Sequence, residues 1–201
     1  MLTEILPKTA EFFMLNGIKS PNMDDICKHL RISKKTLYQF VKNKSDLVCK
    51  SMAWMLEKET IEILAIESGP GNAIDKIYLI NKLVYYKLKN IQPAVLYDLQ
   101  RHFPEAWDLF TKHKAEFITK VIQRNLLQGI DEHLFRSNMN IEIVAHINVM
   151  LINEMLESKI LPPDKYSFVQ IHNEITKYHL GGICNSEGLQ YLHHLLHKKT
   201  K

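Results

Sequence analysis

Six cationic side chains occur between residues 26 and 45, a stretch without any acidic residue: Lys28, Arg31, Lys34, Lys35, Lys42 and Lys44. The first 50 residues hold nine Lys/Arg and five Asp/Glu, whereas the other 151 hold seventeen of each, so the whole net charge of +4 lies in the first quarter of the chain. A local positive patch beside a neutral remainder is what binding to phosphates requires. An ordinary solvated face is the alternative interpretation.

Two of these lysines, Lys34 and Lys35, directly follow Ser33, a residue that suits the start of a helix. The backbone dipole disfavours each cation in a first helical turn by roughly 0.3–1 kcal/mol, unless a polyanion lies against that end. The outward side of this helix would carry Lys34, Lys35, Thr36, Tyr38 and Gln39. These groups are able to contact phosphates and base edges, so the pattern predicts a surface that binds nucleic acid.

The elements that position these side chains are predicted from apolar spacing and capping residues. Leu6, Ala10 and Phe13 indicate a first helix that ends near Gly17. A second helix is predicted over about 23–30, with Asn22 and Asp25 as a capping box. A third helix is predicted over about 34–41, capped by Ser33, and a longer one from Ser45 to about residue 66. Two short helices joined by a tight turn form a helix-turn-helix.

These residues match a known pattern. Residues 5–50 resemble the DNA-binding domain of the TetR (tetracycline-repressor) family, chiefly through MDDICKHLRISKKTLYQFVKNKSDLV at residues 23–48. The positions that agree with the family pattern are Asp25-Ile26, Ile32-Ser33, Leu37-Tyr38, Lys44 and Leu47. Arg31 departs from it, since the family often has glycine there, and so do Phe40 and Val41, where histidine and phenylalanine are common.

The resemblance implies an all-α fold: a three-helix helix-turn-helix domain at residues 1–50, then a larger helical ligand-binding and dimerisation domain at residues 51–201. The third helix would enter the DNA major groove of a double-stranded operator. Tyr38 and Lys44 would contact phosphates, and the start of the second helix at Asn22 and Met23 would abut the DNA backbone. The complete set of expected DNA contacts is Asn22, Met23, Ser33, Lys34, Lys35, Thr36, Tyr38, Gln39, Lys42 and Lys44.

Residues 141–156 are apolar on nearly every side, which indicates a helix buried all round. Further helices are expected over about 73–89, from Gln92-Pro93, over about 104–128, and over about 165–180, the last after a Pro162-Pro163 turn with Asp164 as its cap and Gly181-Gly182 as its end. We expect residues 141–157 and 165–180 to form a homodimer interface, as the last two major helices do in the resembled family. A core helix of a monomer is the alternative.

Aromatic residues with polar neighbours are candidates for a pocket that binds a small-molecule effector. They are Tyr85, Tyr86, Tyr97, His102, Phe103, Trp107, Phe110, Phe117, His146 and Asn153. Each of these positions equally fits an ordinary core residue.

Several classes of function lack support in the sequence. There is no phosphate loop, nucleophile elbow, paired-cysteine site or His-Glu-x-x-His, so we expect neither an enzyme nor a cofactor. His193 and His197 have spacing that permits a shared metal, but no third ligand accompanies them. No apolar run spans a bilayer, and the charges at Glu4, Lys8 and Glu11 do not fit a signal peptide, which predicts a cytoplasmic protein.

The sequence thus predicts a sequence-specific DNA-binding transcriptional regulator, a ligand-responsive repressor that acts as a homodimer. The alternative is a helical dimerising interaction protein whose helix-turn-helix no longer reads an operator.

Overall fold

The computed structural model describes residues 2–89, 91–92, 94–157 and 165–198. Within these ranges the chain is helical, without strands, and an isolated antiparallel bridge joins Phe135 to Cys184. The α-helices are α1 (Leu2–Asn16), α2 (Met23–Leu30), α3 (Lys34–Leu37), α4 (Lys44–Ser68), α5 (Ala73–Lys89), α6 (Ala94–His102), α7 (Pro104–His113), α8 (Thr119–Asp131), α9 (Ile141–Glu157), α10 (Phe168–Ile183) and α11 (Ser186–Lys198). The expected all-α fold is therefore confirmed.

Two compact units make up the chain. The first unit comprises Met1–Glu62 with Asn90–Lys114, and the second comprises Ile63–Lys89 with Ala115–Lys201. The division of function at residue 50 stays a prediction, because compactness does not assign DNA or ligand binding to a segment.

The first unit has one apolar core built from α1–α4, α6 and α7. Phe13, Ile26, Leu37 and Leu47 are buried in it. The resembled family's aromatic positions keep their packing role here, since Val41 is buried and Phe40 packs against the core from a half-buried position. The three-helix arrangement at the N-terminus is therefore held by side chains whose helical spacing the sequence displays.

The second unit has a separate core. Ile74, Leu126, Ala145, Leu180 and Ile183 are buried in it, and Leu192 and Leu195 of α11 pack against it. α9 is buried on one side through Ala145 and Val149, whereas its Ile143, Ile147 and Met150 are exposed. The apolar residues on all sides of this helix thus form one face in the core and one face that the other described residues leave exposed.

Four predicted helix boundaries are wrong. α3 ends at Leu37 rather than Val41, because the backbone N–H groups of Gln39 and Phe40 bond three residues back and tighten the chain into a turn. α4 begins at Lys44, and its cap is Asn43, whose side chain accepts the Asp46 N–H at 2.9 Å, not Ser45.

The third wrong boundary is at Gly181 and Gly182, which α10 passes through. The helix ends only at Ile183, where the chain is held by the bridge between Cys184 and Phe135. The fourth is the start of α10, which lies at Phe168 rather than near residue 165, because Ser167 caps the helix in a capping box with Gln170. The predicted Pro162-Pro163 turn, the Asp164 cap and the helix start at Pro93 lie outside the described residues.

The stretch expected to be one helix over 104–128 is divided. α7 ends at His113, a π-helical turn occupies Lys114–Ile118, and α8 continues from Thr119. Such π-helical turns often occur at functional sites, and this one begins with a buried lysine, Lys114.

Candidate nucleic-acid interface

The α2–α3 segment is fixed by side-chain caps at both helix starts. The Asn22 side chain accepts the N–H groups of Asp24 and Asp25, while Asp25 accepts the Asn22 N–H at 2.9 Å, which completes the predicted capping box. The Ser33 hydroxyl accepts the Thr36 N–H at 3.0 Å. These bonds satisfy N–H groups that would otherwise lack partners at the helix ends.

The turn between the two helices contains a left-handed residue. Arg31 has φ 56° and ψ 41°, and its backbone N–H closes α2 onto the Lys28 carbonyl at 3.2 Å. This is the position at which the resembled family often has glycine, whose missing Cβ makes this conformation inexpensive. In this chain an arginine therefore adopts a left-handed conformation that glycine would adopt at lower cost.

α3 presents polar side chains over a fully buried anchor. Leu37 is 0% exposed, whereas Tyr38 is 48% exposed. Lys34, Lys35 and Gln39 are also exposed. α3 and the turn that follows it therefore expose two ammonium groups, a phenol and an amide, a set able to contact both phosphates and base edges.

One of the two lysines at the start of α3 has an acidic partner within the protein. Lys34 Nζ lies 2.7 Å from Asp24 Oδ2, and this hydrogen bond raises the pKa of Lys34. Lys35, by contrast, makes no ion pair with any described residue. Asp24 of α2 therefore compensates the charge of Lys34 at this helix start, whereas the charge of Lys35 is not compensated by a described acidic residue.

Lys44 lies in a different environment from the one that the resemblance implies. Its Nζ donates to the Lys19 carbonyl at 2.7 Å and lies 5.7 Å from the centre of the Phe103 ring. Partial burial lowers the pKa of Lys44. Lys42 is exposed, and its backbone N–H, rather than its ammonium, bonds to Asp46 at 2.8 Å. The Lys19 carbonyl uses one of the three N–H donors of the Lys44 ammonium, so a phosphate contact would have to come from the other two.

The remaining expected DNA contacts lie at the edges of this surface. Met23 is half-buried and packs on the first core, and the Thr36 hydroxyl lies 2.8 Å from that of Ser33. Asp24 is the residue that the sequence reasoning missed here. Nothing in the spacing of Asp24 and Lys34 indicates their contact, because it depends on how the turn at Arg31 directs α3.

The ten candidate ligand residues divide equally between the two units. Tyr97, His102, Phe103, Trp107 and Phe110 belong to the first, and Tyr85, Tyr86, Phe117, His146 and Asn153 belong to the second. Trp107 and Phe110 are 5.6 Å apart between ring centres, and Tyr85 contacts Tyr86 edge-on. Tyr86 and Tyr97 are more than half exposed, whereas Phe103 is buried in the first core.

Lys114 is a buried residue that no pattern in the sequence indicates. This lysine is 5% exposed, and its Nζ lies 4.3 Å from the centre of the Phe110 ring and 5.6 Å from that of Trp107. Rings stacked on an ammonium partly compensate its loss of water. The predicted aromatic residues Trp107 and Phe110 thus surround a lysine of the chain itself.

A groove in the second unit also has no counterpart among the predicted pocket residues. It has a volume of about 360 Å³ and is lined by Leu64, Glu67, Ser68, Lys76, Ile80, Val121, Arg124, Asn125 and Gln128. Its two cationic side chains, Lys76 and Arg124, come from different helices, α5 and α8. Among the described residues, no group of three or more His, Cys, Asp or Glu is arranged to hold a metal ion.

Comparison with known proteins identifies the architecture. No protein-family profile matches the sequence, and a search of curated proteins finds no similar sequence. Among solved structures, reduced NemR of E. coli has a TM-score of 0.73 at 12% identity, covering 91% of this chain and 96% of NemR. A TetR-family transcriptional regulator from Agrobacterium tumefaciens has a TM-score of 0.72 at 14% identity, covering 92% and 97%.

The chain has the TetR fold. A third structure with this fold, a transcriptional regulator from Saccharomonospora viridis in complex with choline, has a TM-score of 0.70 at 14% identity and covers 92% of this chain and 97% of its own. Because the similarity extends over nine-tenths of the chain, the TetR fold includes the helices after residue 50 as well as the helix-turn-helix. No described helix is both long and apolar enough to cross a membrane.

Proposed function

We propose that this protein is a transcriptional regulator that binds a specific double-stranded operator through α2 and α3, acts as a homodimer, and releases DNA in response to a small molecule. The observation that carries the proposal is the exposed polar side of α3 above buried Leu37, within the TetR fold. Such a regulator works without catalysis and resides in the cytoplasm, where its DNA is. Repression fits a protein whose ligand lowers its affinity for DNA.

The α2–α3 side chains differ in whether they are free to contact DNA or already have a partner within the protein. Lys35, Lys42, Tyr38 and Gln39 are exposed and need no rearrangement to contact a duplex. Lys34 would share its ammonium between Asp24 and a phosphate, and Lys44 would use the donors that the Lys19 carbonyl does not occupy. Asn22, Met23, Ser33 and Thr36 would contact DNA through the start of α2 and α3, where backbone N–H groups and helix dipoles favour anions.

Dimerisation is proposed through the outer faces of α9 and α10. Ile143, Ile147 and Met150 recur at helical spacing on α9 and are 57%, 44% and 60% exposed, and Tyr178 on α10 is 74% exposed. The two helices pack against each other, so these residues belong to one region of the second unit. Large exposed apolar side chains grouped in this way mark interaction surfaces.

The effector would act by preferring the conformer that binds DNA less well. The choline found in the Saccharomonospora viridis regulator shows that one protein of this fold binds a small molecule. The ten aromatic and polar residues predicted from the sequence, from Tyr85 to Asn153, stay a prediction, and they lie in two separate units. The groove lined by Lys76 and Arg124 in the second unit is a separate location.

The test begins with selection of bound sequences from a random DNA library, followed by affinity measurements at several salt concentrations. We expect a palindromic site and a linear fall of log affinity with log salt. Lys35→Gln should weaken binding and reduce the salt slope by about 1, because one phosphate contact is lost. Asp24→Asn should strengthen binding several-fold and steepen the slope, because it removes an acid and releases Lys34.

Lys82→Gln, at an exposed lysine of α5, is the matched control and should leave both quantities unchanged. Circular dichroism checks that each variant is folded. If the protein shows no preference for any sequence at any salt, or if Lys35→Gln and Asp24→Asn bind DNA as the wild type does, the regulator proposal is wrong. Retained binding to a protein partner would then favour the helical interaction protein.

A further inference from the structure

The groove of the second unit combines an apolar floor with an excess of positive charge. Leu64, Ile80 and Val121 supply the apolar lining. Lys76 and Arg124 are cationic, and Glu67 is the one acid among the lining residues, so the lining carries a net charge of about +1 at neutral pH. Such a surface favours a ligand that has both an apolar part and a negative charge.

Glu67 fixes the Arg124 side chain without using all of its donors. Arg124 Nε and Nη2 lie 2.9 and 2.7 Å from the two Glu67 carboxylate oxygens. A guanidinium has five N–H groups, so Nη1 and part of Nη2 still have donor capacity. The Glu67 side chain is 17% exposed and that of Arg124 is 48% exposed, which places the arginine on the open side of the pair.

Lys76 has a neutral partner instead of an acidic one. Its Nζ donates to Gln128 Oε1 at 3.1 Å, and it makes no ion pair with any described residue. The nearest acid in this network, Glu132, accepts hydrogen bonds from the Gln128 amide at 2.6 Å and from the Ala73 N–H at 2.8 Å. Half-buried Lys76 thus lines the groove with an amide, rather than an acid, as its hydrogen-bond partner.

The size of the groove limits the ligand. A volume of about 360 Å³ lies near the lower end of the range for small-molecule sites, roughly 300–1,000 Å³. It therefore suits a single ring or a short alkyl chain rather than a long acyl group. A carboxylate suits the polar side, because its two oxygens match the N–H geometry of arginine.

We propose that this groove binds a small organic carboxylate, with the carboxylate between Lys76 and the remaining N–H groups of Arg124 and the apolar body over Leu64, Ile80 and Val121. Glu67 is then a positioning residue, which holds the guanidinium at the edge of the groove. The ligand's effect on DNA rests on the proposed regulator function, whereas the binding itself does not.

Binding is tested by calorimetric titration of the full chain with benzoate and with hexanoate, at ionic strength held constant with sodium chloride. Benzylammonium and hexylammonium are the matched probes, because they have similar apolar bodies and the opposite charge. We expect one saturable carboxylate site per chain and no saturable binding of the ammonium probes. Failure of both carboxylates to bind, or equal binding of the ammonium probes, would overturn the proposal.

Variants locate the site. Lys76→Gln should weaken carboxylate binding at least tenfold, Lys76→Arg should keep it within about threefold, and Lys82→Gln, at the exposed lysine of the same helix, should not change it. Thermal unfolding checks that each variant is folded. Carboxylate affinity that is equal in Lys76→Gln and in the wild type would place the bound molecule elsewhere and overturn the assignment.

Operator affinity measured with and without benzoate separates this inference from the regulator function. If the protein binds its operator specifically but does not bind the carboxylates, the groove site is contradicted and the regulator function is not. Carboxylate binding at Lys76 in a protein that binds no operator supports the groove site and contradicts the regulator function.

Discussion

At the scale of single residues, the lysines on and near α3 differ in whether the protein itself provides a partner for their charge. Lys34 is paired with Asp24, and Lys44 is held by a backbone carbonyl, so Lys35 is the more available cation at the start of α3. A duplex that approaches α3 would therefore compete with one internal acid. This competition is the reason that Asp24→Asn and Lys35→Gln are expected to change DNA affinity in opposite directions.

A second residue-scale consequence concerns pH. Burial lowers the pKa of His179 in α10 from about 6.5 to about 4 and also lowers the pKa of His172. Well above pH 6.5 both histidines are neutral in the folded and in the unfolded state. As the pH falls from 6.5 toward 4, the unfolded chain takes up protons that the folded chain resists, so stability is lost across this window.

We expect the free energy of unfolding to fall by about 2–3 kcal/mol through His179 between pH 7 and pH 4.5. His179→Leu should remove that part of the loss, and the measurement is urea unfolding at both pH values at one protein concentration. His193→Gln, at an exposed histidine of α11, is the control and should behave like the wild type. An equal loss in His179→Leu and in the wild type would contradict the assignment.

At the scale of elements, the α2–α3 turn holds its geometry at an energetic cost. Arg31 adopts the left-handed conformation with an exposed side chain that makes no hydrogen bond or ion pair with a described residue. A left-handed conformation costs an L residue with a side chain roughly 1–2 kcal/mol. Glycine avoids this cost, but it loses more conformational entropy on folding, which offsets part of the stabilisation.

Arg31→Gly should therefore stabilise the protein by about 0.5–1 kcal/mol in urea unfolding. Arg31→Ala is the matched control, since it removes the same side chain but keeps the Cβ, and it should give no gain. Equal stability of the glycine and alanine variants would show that the backbone at residue 31 is not strained.

The helix boundaries show how far local sequence determines an element. α2, α5 and α9 lie within about a residue of where apolar spacing and caps predict them. α4 has its cap at Asn43 because that side chain is the one that reaches the Asp46 N–H. α10 continues through Gly181 and Gly182, since the bridge at Cys184 and the buried Ile183 hold the end of the helix.

At the scale of the whole molecule, the exposed apolar side of α9 and α10 favours dimerisation. A two-fold interface brings the same surface of each copy together, so a charge introduced near its centre lies close to the same charge on the other copy. Like charges placed close together across an interface are strongly unfavourable.

Met150→Glu should therefore convert a dimer into monomers, raising the dissociation constant at least a hundredfold in sedimentation velocity. It should also weaken operator binding, because each half-site would then be bound separately. Leu127→Glu is the matched control, since Leu127 is 51% exposed on α8, outside the proposed interface. A Met150→Glu protein that stays dimeric would move the interface away from this face of α9.

The sequence by itself determined the helical fold, the helix-turn-helix with its caps at Asn22 and Ser33, and the apolar character of α9. Each of these depends on hydrogen bonds and spacings within a few residues, which are visible along the chain. Only the tertiary structure decided that Lys34 contacts Asp24, that Lys44 contacts Lys19, and that Arg124 contacts Glu67 beside the groove. Those contacts join residues between 10 and 57 positions apart, and packing, not spacing, brings them together.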